Sequence, residues 1–148
     1  MRRADIELRQ AADDDAQFIY SLVESTMRAY VEEIWGSFSE EHNRNNVAEM
    51  LAAKSYSIIQ YRDKDVGALA VERHPTHIQL AQIYILPTHQ NRGIGTLLVR
   101  ELLRESKQAN VPLRLRVLSS NPARRLYERE GFRVTETTPE RIFMERHA

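Results

Sequence analysis

The segment Gln90-Asn91-Arg92-Gly93-Ile94-Gly95-Thr96 carries the richest chemistry in the chain. Two glycines this close together let a backbone bend tightly and approach a ligand. The residues that follow open a helix, so several amide N–H groups lack intrahelical partners and point outward at the positive end of its dipole. Such a turn suits an anion, phosphate above all. The alternative is that the glycines only shape a strand-to-helix turn. Two known phosphate motifs do not fit. A P-loop needs Gly-Lys-Ser/Thr, but Ile94 precedes Gly95 and Thr96 follows it, with no lysine. A dinucleotide fingerprint wants a small residue where Leu98 stands and an acidic residue about 20 positions on, and Leu113 to Val117 offers none.

The flanking patterns say which elements must hold this turn. Ile6 to Arg9 alternates like a short strand, and Ala11 to Asp15 is a polar break. Phe18, Ile19, Leu22, Val23 and Met27 share a helical face. An aromatic stretch, Tyr30 to Phe38, separates this helix from a second over Asn43 to Ala53. Tyr56 to Tyr61, Val66 to Glu72 and His77 to Ile85 read as strands divided by turns at Asp63-Lys64-Asp65 and His74-Pro75. A helix from Arg92 to Ala109 carries Ile94, Leu97, Leu98, Leu102 and Leu103 at a 3.6-residue period. Leu113 to Val117 alternates with Arg114 and Arg116 as a half-buried strand. Asn121-Pro122 starts a last helix, with Asn as cap and Pro as first helical residue, and Gly131 ends it. Phe132 to Thr135 and Ile142 to Glu145 close the chain. The order is β-α-α-β-β-β-α-β-α-β-β, an α/β class. His77–Ile85, its helix and Leu113–Val117 form a right-handed unit with parallel strands, and ligands favour the carboxyl ends of such strands.

Composition sets the outer bounds. The 148 residues suit one domain. Lys+Arg and Asp+Glu are both 21, so the net charge is zero. That argues against binding to nucleic acid or anionic lipid, although 18 of the cations are Arg. With no cysteine, disulfides, thiolate metal sites and a cysteine nucleophile are excluded. His42, His74, His77, His89 and His147 show no ligand spacing, so no metal is expected. Asp5 and Glu7 follow Met1-Arg2-Arg3, which is not a secretory signal, and the longest apolar run, Val66 to Val71, is far too short to span a membrane. The chain reads as cytoplasmic.

Gln90-x-x-Gly93-x-Gly95, preceded by Ile83-Tyr84-Ile85-Leu86-Pro87, resembles the acetyl-coenzyme A signature of the GNAT N-acetyltransferases. Asn121-Pro-Ala123-Arg-Arg-Leu126-Tyr127-Glu-Arg-Glu-Gly131-Phe132 is similar to a second segment of that family, in the same order. The resemblance is strong from Val66 to the C-terminus; over the first 55 residues it is only a two-helix pattern. It implies a GNAT fold over residues 1–148, with a central mixed, twisted sheet of about six to seven strands flanked by about four helices. Acetyl-CoA would be the co-substrate and a small-molecule or peptide amine the acceptor. Gln90, Asn91, Arg92, Gly93, Ile94, Gly95 and Thr96 would wrap the pyrophosphate. Ile83 and Ile85 would offer backbone groups to the pantetheine arm, with Leu86-Pro87 marking the strand distortion that frees them. Asn121 would bond the arm, and Tyr127 would be the general acid at the thioester sulfur. Dimers are common in the family, so a second copy is a candidate partner.

The general base departs from the family pattern. Gln79 and Gln82 stand where many members carry a glutamate, and neither takes a proton. His77 lies far up the strand. Either water relays the proton or Glu32 or Glu33 takes it. A site without a strong base leans toward α-amines, about 10–20% neutral at pH 7, over lysine ε-amines at under about 0.1%. Tyr30-x-Glu32-x-x-Trp35-Gly36 resembles a segment near the acceptor site of some small bacterial members. There it would line a pocket and attract an ammonium; the plainer reading packs Trp35 on the sheet. A rival function on the same fold is a non-catalytic acyl-CoA sensor.

Overall fold

The computed structural model describes residues 3–147; Met1 and Arg2, at the start of the N-terminal stretch considered above, lie outside them. Seven strands and four α-helices appear in the expected order. The strands are β1 (Ile6–Gln10), β2 (Tyr56–Tyr61), β3 (Lys64–Arg73), β4 (Ile78–Ile85), β5 (Leu113–Leu118), β6 (Arg133–Thr137) and β7 (Arg141–Arg146). The helices are α1 (Ala16–Trp35), α2 (Glu40–Ala52), α3 (Ile94–Ala109) and α4 (Arg124–Arg129). The strands form one mixed sheet in the order β1-β2-β3-β4-β5-β7-β6. The described residues fall into two compact units, one running to Ala70 and including Gln82–Ile94, the other comprising Val71–Ala81 and the chain from Gly95 onward.

In the first unit, β1 pairs antiparallel with β2 from Ile6 opposite Tyr61 to Gln10 opposite Ser57, and β2 pairs antiparallel with β3. The apolar residues of these strands, Ile6, Ile58, Ile59, Val66 and Ala68 among them, are fully buried. Helix α1 contributes Ile19, Leu22 and Val23, three of the five positions that shared a face in the sequence. It does not stop before the aromatic stretch. The helix runs through Tyr30 to Trp35 and ends where Gly36 takes a left-handed φ of 81° and donates its N–H to the Glu32 carbonyl. A glycine in that conformation is a common helix stop.

In the second unit, β4 and β5 are parallel, as the strand-helix-strand reading requires. The ladder pairs Ile78, Gln79 and Leu80 with Leu113, Arg114 and Leu115. Strand β5 then pairs antiparallel with β7, placing Leu113, Leu115 and Val117 among the buried residues beside Met144 and Ile142. Helix α3 buries Leu98, Val99, Leu102 and Ser106 along one stripe. It is fastened by Arg73 to Glu105 and by Arg100 to Glu130.

One charged group in the first unit is buried, and it is paired. Asp15 is 8% exposed. Its carboxylate accepts both terminal nitrogens of Arg9, at 2.8 and 2.9 Å, and the Ala12 N–H at 2.8 Å. The Arg9 hydrogen bonds, with Ala12 adding to them, hold its pKa below the usual carboxylate range. A depressed carboxylate stabilises the fold above its unfolded pKa near 3.9, and that contribution is lost as pH falls through the folded value. Asp15→Ala is therefore expected to lower stability at pH 7 by about 1–2 kcal/mol, modest because Arg9 is partly solvated. The deficit should shrink on acidification below pH 4. Urea titrations at pH 7 and pH 3 check both statements.

Candidate functional site

The last four residues of β4, Gln82 to Ile85, run up to the glycine turn and press closely on β3. A Cβ placed on Gly67 would lie 2.3 Å from the Tyr84 carbonyl oxygen and 3.4 Å from the Ile85 Cα. Only glycine fits there, because the obstacle is backbone. The sequence puts the strand distortion at Leu86-Pro87. The close approach is at Tyr84 and Ile85, opposite a glycine in the middle of β3 that the sequence reading passed over. Beyond it, the Leu86 N–H donates to the Val66 carbonyl at 2.8 Å. The Gln90 side-chain amide donates to the Ile85 carbonyl at 3.0 Å, tying the turn to the strand it follows. Ile83, Ile85 and Leu86 are half-buried.

Pro87–His89 form one tight helical turn. Asn91 and Gly93 are both left-handed, with φ of 61° and 86°. Asparagine and glycine are the residues that tolerate this conformation best. Asn91, Arg92 and Gly93 are exposed, and Arg92 has no ion-pair partner among the described residues. Ile94, 1% exposed, opens α3, and Gly95 and Thr96 follow half-buried. No acidic side chain occupies the first turn of this 16-residue helix. Its amide end therefore keeps its positive potential.

In the second unit, Asn121 does not cap the α-helix directly. Its Oδ1 accepts the Ala123 N–H at 2.9 Å, closing a turn through Pro122, and α4 begins at Arg124. The Asn121 amide nitrogen has no partner among the described residues. Tyr127 is 5% exposed, with Phe132 set edge-on at 5.7 Å. Burial pushes its pKa up to about 12. No hydrogen bond from the described residues reaches its hydroxyl.

The acceptor-side residues named from the sequence lie on α1. Tyr30 is half-buried. Glu32 accepts the Arg28 Nε at 2.6 Å. Trp35 is 47% exposed, so it is not packed into the core. His77 stacks on His74 at 4.7 Å beside the β3–β4 turn, and burial lowers its pKa. Gln79 sits in the ladder opposite Arg114. Two polar residues, Tyr56 and Tyr84, were given no role by the sequence reading. The Tyr56 hydroxyl donates to Gln82 Oε1 at 2.5 Å, and burial raises the pKa of both tyrosines. Among the described residues, no group of three or more His, Asp or Glu side chains could hold a metal ion, and no helix is long and apolar enough to cross a membrane.

The family model described as "Acetyltransferase (GNAT) domain" matches residues 26–144. The chain belongs to the GNAT acetyltransferases. Solved structures agree on the fold. The PaiA N-acetyltransferase of Thermoplasma acidophilum, crystallised with coenzyme A, superposes with a TM-score of 0.75 at 19% identity over 97% of this chain and 99% of that one. An acetyltransferase from Thermus thermophilus gives 0.76 at 17% identity over the whole of both chains. Arabidopsis thaliana Naa50, in complex with the bisubstrate analogue CoA-Ac-MVNAL, gives 0.69 at 17% identity over 97% of this chain and 99% of that one. No curated protein matches the sequence.

Within this GNAT chain, the contact between β3 and β4 makes a direct prediction. Gly67→Ala puts a methyl group against the Tyr84 carbonyl and forces β4 to shift. The expected cost is about 1–3 kcal/mol, typical of overpacking a close contact. Unaltered unfolding curves would show that the strand end does not depend on this glycine.

Proposed function

We propose that the protein transfers the acetyl group of acetyl-CoA to a primary amine in a ternary complex, with Tyr127 as general acid. The observation that carries this reading is the left-handed turn at Asn91 and Gly93, opening into a helix with no acidic residue in its first turn. Gln90 to Thr96 would take the diphosphate through backbone amides, with Arg92 adding charge. Ile83 and Ile85 would hold the pantetheine arm through backbone groups, with Leu86 beside them at the strand end, and Asn121 would bond it through its side chain.

The chemistry balances without a covalent enzyme intermediate, in keeping with the absence of cysteine. A neutral amine nitrogen attacks the thioester carbonyl, forming the N–C bond. Negative charge gathers on the carbonyl oxygen, where a backbone N–H near Ile85 would meet it. The C–S bond breaks, and the thiolate takes a proton from the Tyr127 hydroxyl. The nitrogen loses one proton to solvent, which restores the phenol. A phenol with a pKa near 12 stays protonated across the neutral range, so this donor is always loaded. Aligning the two bound reactants supplies much of the acceleration.

Tyr127→Phe should lower kcat by about 10²–10⁴-fold, the usual worth of a positioned proton donor, with little change in KM for acetyl-CoA. Unchanged turnover would remove Tyr127 from the reaction. The wild-type kcat should show no alkaline fall from Tyr127 up to pH 10. Gly93→Asp adds strain at a φ of 86° and a negative charge where the diphosphate would sit. It should abolish thermal stabilisation by acetyl-CoA; retained stabilisation would contradict the diphosphate assignment.

A further inference from the structure

Three polar side chains of the first unit, Tyr56, Gln82 and Tyr84, lie close together, and burial raises the pKa of both tyrosines. Tyr56 is 1% exposed, and its O–H donates to Gln82 Oε1 at 2.5 Å. Gln82 Nε2 lies 3.2 Å from the Met50 Sδ of α2, a weak acceptor. With both ends engaged, this carboxamide is held in one orientation. Tyr84, two residues further along β4, sits on the same side of the strand as Gln82. Burial keeps its hydroxyl protonated, and it is near enough to Tyr56 for the two to repel when ionised. No hydrogen bond from the described residues reaches the Tyr84 hydroxyl. No buried side-chain polar atom of the described residues is left without a partner, so this oxygen is not fully sealed from solvent.

We propose that this uncharged cluster is the seat of the acceptor amine, that the Tyr84 oxygen accepts a hydrogen bond from the attacking nitrogen, and that the seat selects amines arriving uncharged, α-amines over alkyl ε-amines. The assignment rests on the transferase reading above and adds the acceptor class. Gln82 and Tyr84 flank Ile83 on the strand that the reading gives to the pantetheine arm, so the cluster belongs to the same strand end.

A seat for an ammonium ion would need an anion, and the charged groups of the surrounding elements are committed elsewhere or face water. On α2, Glu40, Glu41 and Glu49 are exposed. On α1, Glu24 and Glu32 are bound by Arg28, and Glu33 is exposed. On β3, Asp65 is bound by Arg9 and Gln60. No carboxylate acts on either tyrosine hydroxyl. An ammonium placed here would shed water and gain only neutral acceptors, which is costly. A neutral amine pays no such penalty, and its N–H finds the phenolic oxygen. At pH 7 roughly 10–20% of an α-amine is neutral against under about 0.1% of an ε-amine, a gap of over about 100-fold in reactive species.

The test measures CoA-thiol release from acetyl-CoA with two acceptors, an amino-acid amide and Nα-acetyl-lysine amide, between pH 7 and 9.5. Wild-type protein, Tyr84→Phe and Gln82→Glu are compared, each shown to be folded by its melting temperature and its stabilisation by acetyl-CoA. For the wild type, kcat/KM should favour the α-amine by about 100-fold or more at pH 7. The gap should close by about tenfold per pH unit above pH 8.5, where only the ε-amine still gains neutral form. Tyr84→Phe should raise the acceptor KM roughly tenfold, the worth of one hydrogen bond, while the acetyl-CoA KM stays within about twofold. Gln82→Glu should move the preference toward the ε-amine by about tenfold, since a carboxylate now meets the ammonium. Release with an unchanged acceptor KM in Tyr84→Phe and an unchanged preference in Gln82→Glu would overturn the seat and leave the transferase reading intact. A wild-type preference for the ε-amine would do the same. No release from either amine would overturn the seat, and no release across a wider panel of amines would overturn the transferase reading with it.

Discussion

The close approach of the Tyr84 carbonyl to Gly67 is the constraint on which the rest depends. A strand interior gains nothing from glycine, which adds backbone entropy to the unfolded chain and packs no side chain. Here it is required, because any Cβ would meet main-chain oxygen at 2.3 Å rather than a side chain that can turn aside. The approach sets the path of Ile83 to Leu86, and the Leu86 N–H then anchors on the Val66 carbonyl. The strand end that precedes the glycine turn is thus fixed by its neighbour on β3.

From that anchor the glycine turn follows by local chemistry. Gln90 bonds back to the Ile85 carbonyl, Asn91 and Gly93 supply two left-handed residues, and Ile94 seats the start of α3 in the interior. The amide end of the helix is left with no acidic side chain of its own. Along the strand end itself, the side-chain chemistry at Gln82 and Tyr84 is neutral. Tyr56, Gln82 and Tyr84 offer hydrogen bonds without charge, and burial holds the phenols protonated. In the second unit Tyr127 is kept protonated in the same way. Desolvation that raises a phenol's pKa keeps it in its neutral form through the neutral pH range.

What was legible in the sequence was local. Period-two and period-3.6 patterns gave the element order, and the strand-helix-strand spacing gave the parallel pairing of β4 with β5, because both follow from one stretch of chain at a time. The turn at Asn91 to Gly95 was legible for the same reason. Helix α1 was harder, since the aromatic and β-branched residues from Tyr30 to Trp35 have modest helix propensity and look like a break; the chain stays helical until Gly36 stops it. Asn121-Pro122 signalled a helix start, yet the side chain closed a turn first and α4 began three residues after Asn121. The Tyr56–Gln82 bond joins residues 26 apart in sequence, and no local pattern predicts which buried tyrosine finds which amide. Glu32 looked free for a ligand, and only the folded helix shows Arg28 one turn away holding it.

The central claim is that main-chain amides from Asn91 to Thr96 receive the diphosphate of acetyl-CoA. Backbone amide chemical shifts, followed by NMR as the protein is titrated with acetyl-CoA and separately with acetyl-pantetheine, test it most directly. The account predicts large shifts at Arg92, Gly93, Ile94, Gly95 and Thr96 with acetyl-CoA, and none at those amides with the ligand that lacks the diphosphate. Equal perturbation by both ligands, or an unperturbed turn at saturating acetyl-CoA, would contradict it.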